Sequence, residues 1–171
     1  IHLGKWRLWP AESDPPQGDP VSGLRGKEIT MSITFREMTI DDYEQAYQLW
    51  QACPGVGLSS ADSREAITAY LTRNPGMSFV ANDAEKLVGT VMAGHDGRRG
   101  YLYHLAVAPS HRQQGIGEAL VQHSLAAVEA AGIQKCHILV YGANESGRAF
   151  WEKCRWIERQ ELVIMSYNTK A

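Results

Sequence analysis

A strand that gives way to a glycine-flanked helix is the feature that most constrains the fold of this chain. Residues Tyr101–Ala108 are mostly apolar and end at Pro109, which has no N–H group with which to continue a strand ladder. A short polar loop follows, and apolar residues then recur at helical spacing from Gly115 to Ala131. Gly132 provides a stop signal for the helix. A strand, a tight loop and a long amphipathic helix in this order are typical of an α/β domain.

Similar signals alternate on both sides of this unit. An Asp-Gly pair at residues 96–97 predicts a hairpin between two of the strands, so the sheet should be partly antiparallel. Thr39, Ser63 and Asn144 are suited to cap helices. The further predicted strands begin near Ile33 or span Met77–Ala81, Leu87–Ala93, Cys136–Tyr141 and Glu161–Tyr167. The expected fold is a single α/β domain with a mixed, mostly antiparallel sheet flanked by helices.

Composition sets the expected domain boundaries. The chain has 171 residues, of which 44% are apolar and 21% charged, as in one globular domain. Residues 1–30 contain four of the seven prolines and show no sustained period. We therefore expect one folded domain over residues 31–171, preceded by a disordered or non-native extension over residues 1–30.

Charge and cysteine content narrow the function classes. A net charge of −2 without a basic stripe argues against nucleic-acid binding, and no apolar run approaches the roughly 18 residues of a membrane span. The three cysteines are far apart and form no CxxC pair, which favours a reduced, cytoplasmic compartment. The histidines show no metal-ligand spacing, so we expect no metal. A homodimer is left open.

The start of the long helix has the properties of an anion site. Free N–H groups and a partial positive charge mark the first turn of any helix, and Gly115 and Gly117 would let a phosphate approach the backbone. Arg112 adds a positive charge. A P-loop would need Gly-Lys-Ser/Thr, and a dinucleotide fingerprint would need a small residue where this chain has Leu120. Gly-x-Gly alone is more often a packing feature.

Two longer motifs make the assignment more specific. The segments Leu105–Pro109 and Arg112–Gly117, followed by Asn144–Lys153, resemble the motifs of the GNAT superfamily of N-acetyltransferases, and the order of elements from Ile33 to Tyr167 is similar as well. The segment Val88–Gly100 also resembles uncharacterised bacterial members of the YpeA type.

The resemblance implies acetyl-coenzyme A as co-substrate and an amine as acceptor, either a small molecule or a protein. The loop at the helix start would hold the pyrophosphate, and strand backbone would pair with the pantetheine arm. Asn144 would bind the same arm, although a plain helix N-cap is an equal alternative. The implied binding residues are Leu105, Val107, Arg112, Gln113, Gln114, Gly115, Ile116, Gly117 and Asn144.

The catalytic assignment is less direct because Trp151 occupies the position of the family's frequent acid, a tyrosine, and an indole N–H is no useful acid. The candidates for a base are Tyr101, Tyr103 and His104, on the strand where family members place base residues. Imidazole changes charge near neutral pH. Strand alternation would put His104 on the opposite face from both tyrosines unless a bulge intervenes. A hydrogen-bonded core histidine is the alternative, and the tyrosines could instead line the acceptor site.

Two other functions stay open at this point. The first is a non-enzymatic coenzyme A-binding or sensing module, which is left open because Trp151 replaces the tyrosine that acts as the acid in many family members. The second is an unrelated phosphate-binding α/β domain. The expected reaction is direct attack of a primary amine on the thioester, and nothing in the sequence identifies the acceptor.

Overall fold

The computed structural model describes residues 33–169, and they form a sheet flanked by helices. The strands are β1 (Ile33–Glu37), β2 (Phe79–Asp83), β3 (Lys86–His95), β4 (Gly100–Val107) and β5 (Cys136–Ile138). The helices are α1 (Tyr43–Ala52), α2 (Arg64–Arg73), α3 (Ile116–Ala130) and α4 (Glu145–Lys153). Short 3-10 turns precede α1, α2 and α3.

The sheet confirms the expected mixed topology. Within residues 33–169 it has five strands in chain order, β1-β2-β3-β4-β5. The first three pairings are antiparallel, and β4 pairs with β5 in parallel. Gly97, with φ +93°, turns the hairpin between β3 and β4, and the N–H of Asp96 donates to the carbonyl of Arg99 at 3.1 Å.

Each face of the sheet carries its own hydrophobic layer. On one face, Trp50 of α1 and Ile67 of α2 pack against Met92 and Ala106 of the sheet. On the other face, α3 buries an apolar stripe over the strands, in contact with Val91 and Leu102. The fully buried members of that stripe are Leu120, Val121 and Val128. The sheet is therefore the middle layer of the domain, as expected for helices on both faces.

A β-bulge in β4 changes which face its residues occupy. Thr90 pairs with Ala106 and Met92 pairs with Tyr103, so two residues of β4 lie opposite one residue of β3. His104, at the bulge, has φ +49°. Leu102 packs in the α3 layer, but Ala106, four residues later, packs in the α1 layer. Without the extra residue both side chains would lie on the same face.

The C-terminal part of the chain corrects two predictions. The expected strand Cys136–Tyr141 ends at Ile138. The expected strand Glu161–Tyr167 is not formed, and residues 162–168 have no regular structure. Because β5 has only three residues, it offers residues 161–167 no long strand to pair with. Several large apolar side chains are consequently exposed here: Ile157, Leu162, Val163, Ile164, Met165 and Tyr167.

The predicted extension over residues 1–30 lies outside the described residues and stays a prediction. Within residues 33–169, no helix combines the length and the apolar character needed to cross a membrane.

Candidate active site

A cleft opens where β4 and β5 diverge. The two strands pair only from Gly100 to Leu102 on β4 and from Cys136 to Ile138 on β5. Beyond these residues the ladder stops, and the end of β4 together with residues 139–141, which follow β5, lines a cavity of about 1110 Å³. The start of α3, the inner side of α4 and the loop after α1 complete its walls. Separation of two parallel strands thus creates a groove in the sheet, open to backbone hydrogen bonding from a ligand.

The loop at residues 53–57 closes over the far side of this cleft. Its two glycines lie against residues of the segment that follows β5. A Cβ atom at Gly55 would lie 2.5 Å from Nδ2 of Asn144, and one at Gly57 would lie 2.2 Å from the hydroxyl oxygen of Tyr141. A Cβ atom at either glycine would therefore require the Asn144 or Tyr141 side chain, or the loop itself, to move.

The start of α3 has the backbone geometry that the predicted anion site needs, and the binding of an anion there stays a prediction. Gln113 and Gly115 have φ values of +61° and +79°, which turn successive N–H groups outward. None of the N–H groups of residues 113–117 donates a hydrogen bond to an acceptor within residues 33–169. Consecutive free N–H groups at a helix N-terminus are suited to phosphate. All of these residues except Gln114 also line the cleft, so the loop and the groove are continuous; the Gln114 side chain instead donates to the Ser110 carbonyl at 3.4 Å.

Two of the predicted binding residues contact other parts of the domain. A Cβ atom at Gly117 would lie 3.4 Å from the Phe150 ring, an ordinary van der Waals contact, so packing of α4 on α3 does not require glycine here. The guanidinium of Arg112 turns back toward the end of β4: Nε donates to the Val107 carbonyl at 3.0 Å, and Nη2 lies 3.7 Å from Sγ of Cys53. Arg112 lines the cleft but is tied to the strand.

Asn144 has the geometry of the alternative assignment. Its side-chain oxygen accepts a hydrogen bond from the N–H of Gly147 at 2.9 Å, which makes it the N-cap of α4. Leu105 and Val107 both line the cleft at the open end of β4, as the resemblance implies for strand residues beside the pantetheine arm.

His104 and Asp62 form the polar pair beside the cleft. Nε2 of His104 lies 2.5 Å from Oδ1 of Asp62, and their side chains are only 14% and 8% exposed. Because a carboxylate only accepts, Nε2 carries the hydrogen. Nδ1 has no hydrogen-bond partner within residues 33–169, and His104 itself lines the cleft. A free imidazole nitrogen beside a cleft can accept a proton.

Both members of this pair are held firmly. The other carboxylate oxygen of Asp62 accepts from the backbone N–H of Ser59 at 2.7 Å. On the strand side, the Thr90 hydroxyl donates to the His104 carbonyl at 2.9 Å and accepts from the indole N–H of Trp50 at 2.9 Å. The Trp50 ring also meets the His104 ring edge-on, with centroids 4.6 Å apart. The His104 side chain is thus held by Asp62 and by the Trp50 ring, and its backbone carbonyl is held by Thr90.

The bulge also places His104 on the same face as Tyr103, which strand alternation alone would forbid. Tyr103 packs against Tyr70 of α2, with centroids 6.2 Å apart, and stacks with Tyr101 at 6.3 Å. Burial raises the pKa of the Tyr103 hydroxyl, so it is protonated near neutral pH. Tyr101 and Tyr103 also line a smaller cavity of about 200 Å³ below the β3–β4 hairpin. Tyr103 borders both cavities.

Trp151, which stands where the family's frequent tyrosine does, is accommodated by packing. A second departure from the motif follows it: Arg155-Trp156 replaces the family's Gly-Phe pair. The Trp151 ring contacts Trp156 and Phe150 in edge-on geometry at 5.0 and 5.1 Å, so it extends the apolar layer below the cleft. Arg155 has φ +64°, a conformation that glycine favours, which explains why the motif has glycine at this position. Neither residue supplies an acid.

Cys136 and Cys154, which lie outside the loop at residues 53–57, have surroundings that keep their thiols unreactive. Burial raises the pKa of Cys136 and of Cys154, which keeps both protonated, as expected for packing residues. Within residues 33–169, His, Cys, Asp and Glu side chains form no group of three that could hold a metal ion.

Sequence reasoning missed Asp62, Trp50 and Thr90 as parts of the site. Ser59 and Asp62 form a capping box around a short 3-10 turn, and the Ser-x-x-Asp pattern is visible in the sequence. This pattern locates a turn but gives no sign that its carboxylate meets His104. Contact between residues so distant in the chain needs the fold.

Comparisons with known proteins agree with this geometry. Residues 43–155 match the model of the acetyltransferase (GNAT) family. An acetyltransferase of Photorhabdus laumondii is 36% identical over 139 residues, covering 78% of this chain and 94% of the relative. An acetyltransferase of Sodalis glossinidius is 33% identical over 133 residues, covering 78% and 92%.

Solved structures show the same fold at low sequence identity. The PaiA N-acetyltransferase of Thermoplasma acidophilum, in complex with coenzyme A, superposes with a TM-score of 0.62 at 19% identity, covering 72% of this chain and 89% of that one. Ard1 of Thermoplasma volcanium gives 0.65 at 20% identity, covering 73% and 82%. The strand, the loop before α3 and the family match together establish that this chain belongs to the GNAT family of acetyltransferases.

Proposed function

We propose that this acetyltransferase transfers the acetyl group of acetyl-coenzyme A to a primary amine by direct attack on the thioester, with His104 as general base. The observation that carries the proposal is the Asp62–His104 pair at the cleft, with Nε2 of the imidazole 2.5 Å from the carboxylate. A module that only binds coenzyme A has no need for a buried, oriented imidazole with one free nitrogen. The pair therefore favours an enzyme over a sensing module.

Residues around the cleft support the binding of the co-substrate. The free N–H groups of residues 113–117 would hold the pyrophosphate. The open edge of β4 at Leu105 and Val107 offers backbone groups to the pantetheine arm. Together these groups would place the thioester near the bulge, with the acetyl group on the side of Tyr103 and His104.

A base is needed because amines are mostly protonated near neutral pH. A lysine-like amine with a pKa of about 10.4 costs roughly 4–5 kcal/mol to deprotonate at pH 7, whereas an α-amine near 8 costs about 1 kcal/mol. As the amine nitrogen bonds to the carbonyl carbon and the C–S bond breaks, the amine loses a proton to Nδ1 of His104. Sulfur departs with the electron pair as a thiolate, whose conjugate thiol has a pKa of about 8.5. The thiolate can therefore leave without a strong acid to protonate it, which is consistent with a tryptophan, a residue that is no useful acid, at position 151.

The first experiment asks whether acetyl transfer occurs. Release of free coenzyme A thiol from acetyl-coenzyme A is measured with an amino acid, a polyamine, an aminoglycoside and a lysine peptide as acceptors. We expect thiol release to depend on at least one amine and an acetylated product to appear by mass spectrometry. Tight acetyl-coenzyme A binding with no amine-dependent release would contradict the proposal and support the sensing module.

Variants then test the base. His104→Gln should lower kcat/KM by tenfold or more, within the about 10²–10⁴-fold range of general base catalysis, while affinity for acetyl-coenzyme A stays near wild type. Asp62→Asn should alter the acid side of the pH–rate profile. Asp83→Asn is a matched control, because Asp83 contacts a second histidine, His111, at 3.2 Å and should leave kcat/KM unchanged. Wild-type rates in both His104→Gln and Asp62→Asn would eliminate His104 as the base.

A further inference from the structure

Exposed apolar side chains are concentrated in the last part of the chain. Among residues 33–169, nine large apolar side chains are exposed, and all except Tyr103 lie between residues 139 and 167. They are Leu139, Tyr141, Ile157, Leu162, Val163, Ile164, Met165 and Tyr167, with exposed fractions from 58% to 90%. Apolar residues exposed singly are ordinary, but a contiguous run of them marks a surface that another molecule covers. Residues 162–168, the C-terminal segment, contain five of these eight.

The backbone of the C-terminal segment is also unpaired. The N–H of Leu162 donates to the Arg159 carbonyl at 3.2 Å, whereas the N–H groups of residues 163–168 donate to no backbone acceptor within residues 33–169. In a strand, Val163, Met165 and Tyr167 would lie together on one face. An apolar segment with a free row of backbone N–H and C=O groups is a template for pairing with another strand.

The charges around the C-terminal segment do not favour a charged partner. No charged residue occurs between Glu161 and Lys170, and residues 152–161 carry three acidic and three basic side chains. One of these pairs, Arg159 with Glu161, forms an ion pair. A surface for anionic lipid would instead need an excess of basic residues beside the apolar ones. The segment therefore matches a partner surface that is itself neutral and apolar.

The same segment of a second copy is such a surface. If the two segments pair antiparallel about a two-fold axis at Met165, Val163 of each copy lies opposite Tyr167 of the other, and Met165 lies opposite itself. Three apolar side chains of each copy then share one face of the ladder. A β-branched residue opposite an aromatic ring is a favourable cross-strand pair. Like charges do not meet in this register, because residues 162–168 are all uncharged.

The exposed apolar area is large enough for a dimer. A large apolar side chain has an area on the order of 100 Å², so the eight exposed side chains offer roughly 600 Å² per copy. Two copies would bury about 1,200 Å², at the lower end of the about 1,200–2,000 Å² of stable interfaces. Three of the eight, Leu139, Tyr141 and Ile164, also line the large cleft, so this interface would border the proposed active site.

We propose that the C-terminal segment is the interface of a homodimer, in which residues 162–168 of two copies pair as antiparallel strands about a two-fold axis at Met165. The pairing gives the free backbone groups their partners and removes the apolar row of Val163, Met165 and Tyr167 from water. The inference is independent of the proposed acetyl transfer, because a chain without activity would still dimerise through this segment.

Sedimentation velocity on the full chain, over a wide range of protein concentration, tests the dimer. We expect wild type to sediment as a dimer that dissociates on dilution. Met165→Glu and Met165→Lys each set like charges opposite one another, so each should weaken dimerisation by about tenfold or more. Because Met165 is 90% exposed, both variants should keep the wild-type circular dichroism spectrum. An equimolar mixture of the two should recover the dimer, since glutamate then faces lysine.

A control variant and the alternative outcomes make the result decisive. Gln122→Glu adds the same charge at an exposed position of α3 and should leave the dimer unchanged. A wild-type chain that is monomeric at every concentration, or a dimer that persists in both Met165 variants, would overturn the proposal. Failure of the mixture to recover the dimer would overturn the antiparallel pairing at Met165. A monomer that binds phosphatidylglycerol vesicles would assign the segment to a lipid surface instead.

Discussion

Replacing Thr90 with valine should destabilise the domain by about 2–4 kcal/mol. Thr90 is fully buried, and its hydroxyl both accepts from the Trp50 indole and donates to the His104 carbonyl, each at 2.9 Å. Valine has nearly the same shape, so packing is retained while both partners lose their hydrogen bond. Each buried group left unsatisfied costs about 1–3 kcal/mol, and the two costs add incompletely because the groups share one site.

Urea unfolding followed by tryptophan fluorescence measures this loss. Thr90→Ser is the matched control: it keeps the hydroxyl and removes one methyl, for which about 1 kcal/mol is expected. The valine variant should therefore be the less stable of the two, although it preserves the apolar volume. If valine proved as stable as wild type, or more stable than serine, the hydroxyl would not be what holds the bulge, and the account of a fixed His104 would have to be abandoned.

Two further predictions concern a turn and an ion pair. Gly115 and Gly132 have φ values of +79° and +82°, with open space around each. Alanine at either position should lower the free energy of unfolding by about 1 kcal/mol. Calorimetry should show weaker coenzyme A binding for Gly115→Ala but not for Gly132→Ala, and equal weakening in both variants would contradict an anion site at the start of α3. Burial opposes ionisation of Asp42, yet hydrogen bonds from Arg36 and the Thr39 backbone outweigh it and lower its pKa. Its contribution is therefore present above the unfolded pKa of about 3.9 and is lost as pH falls through the lower folded value, so the stability difference between wild type and Asp42→Asn should shrink below about pH 4; a difference independent of pH would refute this origin.

The backbone geometry of the loop before α3 could be predicted from the sequence because every component of it is local. The proline at the end of β4, the loop and the two glycines occupy a few consecutive residues, and their backbone geometry follows from residue type. The hairpin after β3 was predicted for the same reason. Helix α4 was placed correctly by its cap, Asn144, whose side-chain oxygen accepts from Gly147.

The Asp62–His104 pair could not be predicted from the sequence because it depends on contacts between residues far apart in the chain. Alternation along β4 assigned His104 to the wrong face, and only the pairing of Thr90 with Ala106 and Met92 with Tyr103 reveals the bulge. Asp62 reaches the same point from a turn before α2. The prediction of a strand at residues 161–167 was wrong for a related reason. The apolar pattern of these residues is suited to a strand, but a strand needs a neighbouring strand to pair with, and β5 ends at Ile138.

The one-residue insertion in β4 divides the strand into two independent stretches. Side chains before it, such as Leu102, and side chains after it, such as Ala106, belong to opposite layers of the domain. Substitutions in the first stretch can therefore be absorbed without repacking the second. During evolution this arrangement would let Tyr101 and Tyr103, before the inserted residue, diversify while the residues after it stayed constant. Loss of that single residue would erase the separation at once, because every later side chain of the strand would turn to the other face.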